Sequence, residues 1–287
     1  MTSSISLRSG TPTDAAPCGE ICFKAFHSIA SAHNFPPDFP SPNVAIGLIG
    51  HLLSRPDAYS VVAEIEGKIV GSNFLWEGDI IAGIGPVTVD PTIQNRGVGR
   101  EMMQGVLRRA SEKKFVGVRL VQSAYHNRSL SLYTKLGFEV REPLALFQGA
   151  ALKKSILGLT VRPAVESDEK ACSQLCERIH GHNRQHEFLG AVQQHLATVV
   201  ERHGRITGYS TGVGFFGHSV GETNDDLKAL IGAAGEFSGP GMLVPTRNTD
   251  VFRWCLEQGL RITQPLTLMS IGLYNEPRGA FMPSILF

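Results

Sequence analysis

The sequence predicts an α/β protein, an α+β fold with mixed sheets, built from two related domains in tandem. Strand-like and helix-like segments alternate along the chain, which is typical of a sheet covered by helices. The 287 residues are about twice the length of an average domain. Shifting the numbering by 154 places Arg8 on Arg162 and Asp14 on Asp168 without a gap. This match indicates an internal duplication.

The first half contains the elements of one complete β/α unit. Residues 5–8 alternate between apolar and polar side chains, as a half-buried strand does. Glu66 and Gly67 separate two strand-like runs, which predicts a hairpin with a two-residue turn. The predicted elements are, in order, a strand at 5–8, a helix through Phe26, a proline-rich loop at 35–43, a helix at 44–53, strands at 59–65, 68–76 and 80–89, a helix from 98, a strand at 118–122, a helix at 127–136 and a strand at 138–147.

The second half repeats this order of features. It is predicted to contain a strand at 205–216, helices at 224–234 and 248–258, a short strand at 242–244 between them, and a final strand that ends at 271. We therefore expect one domain at residues 1–152 and a second at residues 158–287.

Pro86 lies inside the predicted strand at 80–89. Proline cannot donate a ladder hydrogen bond, so pairing should be interrupted near it and the sheet could open there. A proline on an edge strand is the alternative.

A glycine-bearing loop follows this strand and leads into a helix. Gly97 and Gly99 would let the backbone approach a ligand without a Cβ in the way, and unpaired N–H groups converge where a helix begins. Arg96 and Arg100 add positive charge and forked donors. The stretch therefore predicts a cradle for a pyrophosphate group.

Two motifs resemble those of the GNAT superfamily of N-acetyltransferases. Gln94, Gly97 and Gly99 match its acyl-CoA-binding signature, and a later segment combines Asn127 with a Tyr133-x-x-x-Gly-Phe run. The resemblance implies a strand that splays from its neighbour and acetyl-CoA as co-substrate, with no metal. It implies that acetyl-CoA is held by Val87, Val89, Gln94, Asn95, Arg96, Gly97, Val98, Gly99, Arg100, Asn127 and Tyr133.

Four groups are candidates for proton transfer. Tyr133 could protonate the departing thiolate, although an aromatic residue packed in the core is the alternative. Glu77 or Asp79, just before a strand that has no carboxylate, could deprotonate the amine, although an exposed turn is the alternative. The carboxylate of Phe287, at the end of an apolar tail, is a second candidate base. Asn127 could also be a simple helix N-cap.

The second half lacks the features of the cradle. Its equivalent stretch, at 220–226, contains three acidic residues and no arginine, so a pyrophosphate would be repelled there. Trp254 or Cys255 takes the place of the tyrosine. We therefore expect one acetyl-CoA site per chain, with a degenerate second domain that supports it.

Three other patterns are interpreted as structural. The polar run at 178–187 contains three histidines but no clear ligand spacing, which favours a solvated loop over a metal site. The glycine pattern from Gly212 to Gly217 is not followed by a dinucleotide-binding unit. Five cysteines without a disulfide framework indicate buried reduced thiols.

Composition limits the partners. The formal net charge of +1 provides no field to attract nucleic acid or an anionic membrane, and no run of apolar residues is long enough to span a bilayer. We expect a cytoplasmic protein, and a homodimer is compatible with the sequence.

The function that the sequence predicts is transfer of an acetyl group from acetyl-CoA to a small-molecule or peptide amine by direct attack. A non-catalytic acyl-CoA sensor and a transferase for another acyl-CoA are the alternatives.

Overall fold

The structure is a computed structural model that describes residues 4–286. In chain order the elements are β1 (Ile5–Ser9), α1 (Ala15–Ala32), α2 (Pro42–Ser54), β2 (Ala58–Ile65), β3 (Lys68–Trp76), β4 (Ile81–Ile84), β5 (Thr88–Val89), α3 (Val98–Glu112), β6 (Gly117–Ser123), α4 (Asn127–Lys135), β7 (Glu139–Gln148), β8 (Thr160–Pro163), α5 (Glu169–His180), α6 (Gln185–Gln193), β9 (Thr198–Arg202), β10 (Arg205–Ser210), β11 (Ser219–Gly221), α7 (Asn224–Ala233), β12 (Met242–Pro245), α8 (Thr249–Glu257), β13 (Arg261–Gly272) and β14 (Ala280–Met282). The predicted α/β class with mixed strand pairing is confirmed.

The chain forms two compact units. The first contains residues 4–120, 125–139 and 270–273, and the second contains 121–124, 140–269 and 274–286. The sequence-based boundary at 152 differs from this division, because β7 pairs antiparallel with β12 and most of it packs in the second unit.

The first unit is organised around β2 and β3. These strands form the predicted hairpin, and its turn residues Glu66 and Gly67 both have positive φ angles, of 51° and 74°. Strand β1 pairs antiparallel with β2, and β4 pairs parallel with β6. Helices α1 and α2 pack closely at Gly19, where an added Cβ would lie 2.4 Å from the Ile46 Cα.

The predicted strand at 80–89 is broken at Pro86. Strand β4 pairs with β3 at Ile84 and Gly83, whereas β5 pairs with a different part of β3 through Val89 and Thr88. The pairing of β4 with β6 ends at Gly83. The predicted interruption is confirmed, and it leaves a gap beside β5.

The second unit contains the antiparallel order β14-β11-β10-β9-β8. Strand β10 ends at Ser210, earlier than the predicted 216. Buried Cys172 and Cys176 on α5 pack with Val199 of β9 and Tyr209 of β10. In the first unit, Cys18 and Cys22 of α1 are buried in the same way.

The internal duplication is visible in one repeated ion pair. The guanidinium of Arg8 donates two hydrogen bonds to Asp14, at 2.8 Å each, and Arg162 donates two to Asp168, at 2.7 and 2.9 Å. In each unit the carboxylate also accepts from a backbone N–H three residues earlier. The same joint therefore connects β1 to α1 and β8 to α5.

The interpretation of 178–187 as a solvated loop is wrong. Residues 178–180 end α5, and 185–187 begin α6. His180 and His182 are only 4% exposed, and the His180 ring packs edge-on against Phe281. Because that contact joins residues about a hundred positions apart, local composition gave no sign of it.

No helix within residues 4–286 is long and apolar enough to cross a membrane.

Candidate active site

A cleft of about 280 Å³ lies in the first unit, where α1, β5, the start of α3 and the start of α4 meet. It opens beside the broken strand described above. It is lined by Ala25, Phe26, Ile29, Val87, Val89, Ile93, Gln94, Asn95, Gly97, Val98, Gly99, Arg100, His126, Arg128, Ser129, Leu132 and Tyr133.

The start of α3 presents unpaired backbone donors to this cleft. Gly97 is the N-cap, with a left-handed φ of 87°, and it has no side chain to cap the helix. The N–H of Glu101 bonds to the Gly97 carbonyl at 3.0 Å. The preceding N–H groups of the first turn have no partner within the helix, so they can receive an anion.

The residues around this helix start lie close to the ligand path. Gln94, Asn95, Val98 and Gly99 line the cleft. Arg100 is an exposed residue at its rim, whereas Arg96 is exposed in the loop and is outside the lining.

The backbone of β5 faces the cleft on the other side. The Asp90 N–H donates to the Val70 carbonyl at 2.9 Å, so Val89 and Gly71 form the neighbouring pair without hydrogen bonds. The N–H of Val89 therefore points away from β3. Among the described residues, the Val87 N–H has no backbone partner. Both amides are available to a carbonyl oxygen in the gap.

His126 caps α4, which the sequence had suggested for Asn127. The His126 Nδ1 accepts a hydrogen bond from the Ser129 N–H at 3.2 Å, and the Ser129 hydroxyl donates to the His126 carbonyl at 2.9 Å. Burial lowers the pKa of His126, and nearby Arg128 lowers it further. Asn127 is exposed and does not line the cleft.

Tyr133 lies on α4 about two turns after His126. It lines the cleft and is only 7% exposed, and its ring packs 6.0 Å from that of Phe138. No hydrogen bond to its hydroxyl is found within residues 4–286. Burial raises the pKa of Tyr133, so the hydroxyl keeps its proton.

Of the proposed bases, Glu77 does not lie in the cleft. Glu77 accepts two hydrogen bonds from Arg109, at 2.7 and 3.0 Å, and does not contribute to the lining. That guanidinium also lies over the ring of Tyr59. Phe287 is outside the described residues. The lining residues that the structure describes include no carboxylate.

Sequence reasoning missed the contribution of α1 and of His126. Phe26 and Ile29 form one wall of the cleft, but their spacing in α1 looks like that of any buried helix face. The only local signal for His126 is the serine three residues later, which is a common spacing at a helix start.

Comparison of the chain with known proteins agrees with the geometry of the cleft. Residues 24–138 match the model of the acetyltransferase (GNAT) family. A search of curated proteins found no match.

Solved structures share the fold over nearly the whole chain. An acetyltransferase candidate from Pyrococcus horikoshii is 17% identical, with a TM-score of 0.67 over 96% of this chain and 91% of the other. A GCN5-related N-acetyltransferase from Sphaerobacter thermophilus is 14% identical, with a TM-score of 0.62 over 95% and 96%. A tandem GNAT protein from the clavulanic acid biosynthesis pathway is 12% identical, with a TM-score of 0.53 over 96% and 99%.

These likenesses support the expected tandem form. The match to the acetyltransferase (GNAT) family covers residues 24–138 of the first domain, the segment that builds the cleft, and the solved structures share the fold of the chain.

Proposed function

We propose that the first domain moves the acetyl group of acetyl-CoA to a primary amine by direct attack in a ternary complex. The observation that carries the proposal is the meeting of an uncapped helix start, outward-facing amides of β5 and a protonated tyrosine in one cleft. An acyl-CoA offers a pyrophosphate, a thioester carbonyl and a thiol leaving group to these three features in turn.

The pyrophosphate would bind at the start of α3. Backbone N–H groups of the first turn would donate to it, and Arg100 would add positive charge at the rim. The proposed acetyl-CoA contacts are Val87, Val89, Gln94, Asn95, Arg96, Gly97, Val98, Gly99, Arg100 and Tyr133.

The acetyl group would lie beside β5. The N–H group of Val87 or of Val89 would stabilise the negative charge that develops on the carbonyl oxygen. The amine nitrogen forms its bond to the carbonyl carbon as the C–S bond breaks. Tyr133 would protonate the thiolate, because burial keeps the proton on its hydroxyl until the leaving group departs.

Direct attack is favoured over a covalent enzyme intermediate. The described lining residues include no cysteine, and the Ser129 hydroxyl already donates to a backbone carbonyl.

We further propose that residues 1–152 contain the chain's one acetyl-CoA site and that residues 158–287 form a degenerate copy. Isothermal calorimetry with acetyl-CoA tests this arrangement directly. The expected stoichiometry is one site per chain, and two sites would overturn it.

A non-catalytic acyl-CoA sensor would have the same helix start. The two functions differ in amine-dependent release of free thiol, which a thiol-reactive dye measures with acetyl-CoA and a panel of primary amines. We expect release to depend on the amine. Tight binding without release would favour the sensor, and release only with a longer acyl-CoA would change the donor.

A further inference from the structure

The described residues that line the cleft of the first unit include no carboxylate that could deprotonate an ammonium group, but two histidines lie near its mouth. His126 lines the cleft and caps α4. His33 is the C-cap of α1, one turn beyond Ile29, which is itself a lining residue. The backbone fixes the proton on each imidazole, and it does so in opposite ways.

The proton of His126 is on Nε2. Its Nδ1 accepts from a backbone N–H at 3.2 Å, so Nδ1 must carry a lone pair. In the neutral ring the other nitrogen is then a donor. Protonating Nδ1 would break the cap of α4. His126 is therefore unsuited to accept a proton.

The proton of His33 is on Nδ1. This nitrogen lies 3.0 Å from the Ile29 carbonyl oxygen, which can only accept, so Nδ1 donates. The neutral ring therefore has its lone pair on Nε2. This nitrogen can accept a proton while the hydrogen bond to Ile29 stays intact.

Aromatic packing holds His33 near the cleft. Its ring lies 5.3 Å from that of Tyr125, the residue before His126, and Phe35 also stacks on Tyr125, at 4.2 Å with an interplanar angle of 9°. His33 is also close enough to lower the pKa of His126 through charge repulsion. The titratable groups that face His33 across this packing are thus Tyr125 and His126.

We propose that His33 is the general base of the first domain, with its Nε2 taking the proton that the acceptor ammonium must lose before attack. This inference rests on the function proposed above. It assigns a base to a cleft that has no carboxylate among its described lining residues.

The proton balance closes with groups on the protein. One proton leaves the ammonium for Nε2 of His33, and because His33 is exposed, water can take it away. The neutral amine forms the C–N bond while the C–S bond breaks. The nitrogen then loses its second proton, which the departing thiolate gains overall through Tyr133. The products are the amide, the free thiol and one solvent proton.

The variant His33→Asn separates this role from a structural one. The asparagine amide can reproduce the Nδ1 donor to Ile29 but provides no base. His51→Asn is the matched control, because His51 is an exposed histidine in the last turn of α2. Turnover is measured as thiol release with benzylamine, spermidine and a lysine peptide, and acetyl-CoA affinity by calorimetry.

We expect kcat/KM of His33→Asn to fall about 100-fold at neutral pH, with acetyl-CoA affinity unchanged. The loss should shrink as the pH rises toward the pKa of the amine, because the substrate then deprotonates without help. Added imidazole should restore part of the rate. His51→Asn should match the wild type.

Two results would contradict the inference alone. They are an unchanged rate in His33→Asn, or an equal loss at every pH without rescue by imidazole, which would indicate a structural role. If the wild type releases no thiol with any of the three amines, the proposed function fails first, and the inference fails with it.

Discussion

The two units begin equivalent helices in opposite ways. Helix α3 has Gly97 at the N-cap and Arg100 three residues later, and no side chain caps its first turn. Helix α7 has Thr223 at the N-cap and Asp226 three residues later. The same backbone position thus carries a cation at the rim of a cleft in one unit and a carboxylate in the other.

The carboxylate of Asp226 closes its helix start. It accepts from the N–H and the hydroxyl of Thr223, at 2.8 Å each, and from the hydroxyl of Thr207 at 2.6 Å. Asp226 is completely buried at this helix start. Because water screens a buried carboxylate poorly, its negative charge would repel an anion that approaches the turn. The residue at this position therefore sets the sign of the charge that a ligand would meet at the start of each helix.

A second pair of equivalent helices, α4 and α8, also differs in a buried side chain after the cap. Asn248 caps α8 by accepting from the Val251 N–H, as His126 does in α4. Seven residues after each cap lies Tyr133 in one unit and Cys255 in the other, and both are buried. Burial raises the pKa of Cys255 to about 12, so this thiol stays protonated in an apolar core.

Substitutions at Tyr133 and Cys255 are expected to show the largest difference between the units in their effect on turnover. Tyr133→Phe removes the hydroxyl and keeps the ring, so kcat should fall about 100- to 1,000-fold while the dissociation constant of acetyl-CoA changes less than about twofold. Cys255→Ala should leave both quantities unchanged once folding is verified. Thiol release and calorimetry measure them, and an unchanged kcat in Tyr133→Phe would remove this tyrosine from the mechanism.

The next largest effect is expected on acetyl-CoA affinity when a side chain is added at Gly99, beside the backbone of α3. An added Cβ at Gly99 would lie 3.6 Å from Leu132 and from Val89, which is ordinary contact, so Gly99→Ala should fold normally. Gly99→Val adds two further methyl groups to this Cβ, inside the cleft, and we expect acetyl-CoA to bind about tenfold more weakly. Gly105→Ala in the same helix is the control, since its Cβ would also make ordinary contacts. Equal affinity in all three variants would mean that acetyl-CoA does not approach this turn.

Features that depend on neighbouring residues could be predicted from the sequence, whereas contacts between distant residues could not. The loop from Gln94 to Arg100 and the break at Pro86 depend on neighbouring residues, and the structure brings both to one cleft. The position of Glu77 could not be predicted, because its partner Arg109 lies 32 residues away on another element. His126 was missed because its role depends on which nitrogen faces the backbone.

The duplication predicted from Arg8 and Asp14, in contrast, could be recognised from the sequence. A match of spacing alone was enough, because the ion pair joins a strand and a helix that follow each other directly. The wall that α1 contributes to the cleft joins segments about a hundred residues apart, and a single sequence contains no record of such contacts.

The twin ion pairs are expected to respond alike to acid. Arg8 holds the pKa of Asp14 at about 2, and Arg162 lowers the pKa of Asp168. Because each folded-state pKa lies below the unfolded value near 3.9, each pair stabilises the fold above about pH 4, and this contribution is lost in acid, as the pH falls toward 2 for Asp14.

Asp14→Asn and Asp168→Asn should each lower the free energy of unfolding by about 1–2 kcal/mol at neutral pH, less than the pKa shift alone implies since both arginines are about a third exposed. Urea titrations at neutral and acidic pH measure the difference, which should shrink in acid. A difference that persists there, or appears in one unit only, would break the equivalence of the two joints.

The smallest effect concerns the charge at the open helix start. Arg100→Gln removes one cation from the rim of the cleft, whereas Arg108→Gln makes the same change at an exposed position of the same helix, outside the lining. Since Arg100 is exposed, its attraction for a pyrophosphate is partly screened, and we expect acetyl-CoA to bind about three- to fivefold more weakly at low salt. In about 0.5 M salt the effect should nearly vanish, because screening then acts within a few ångströms. Calorimetry at both salt concentrations measures it. If Arg108→Gln weakened binding equally, the charge of the whole helix would determine affinity. The difference between Arg100 and Asp226 at the helix start would then not explain which unit binds the pyrophosphate.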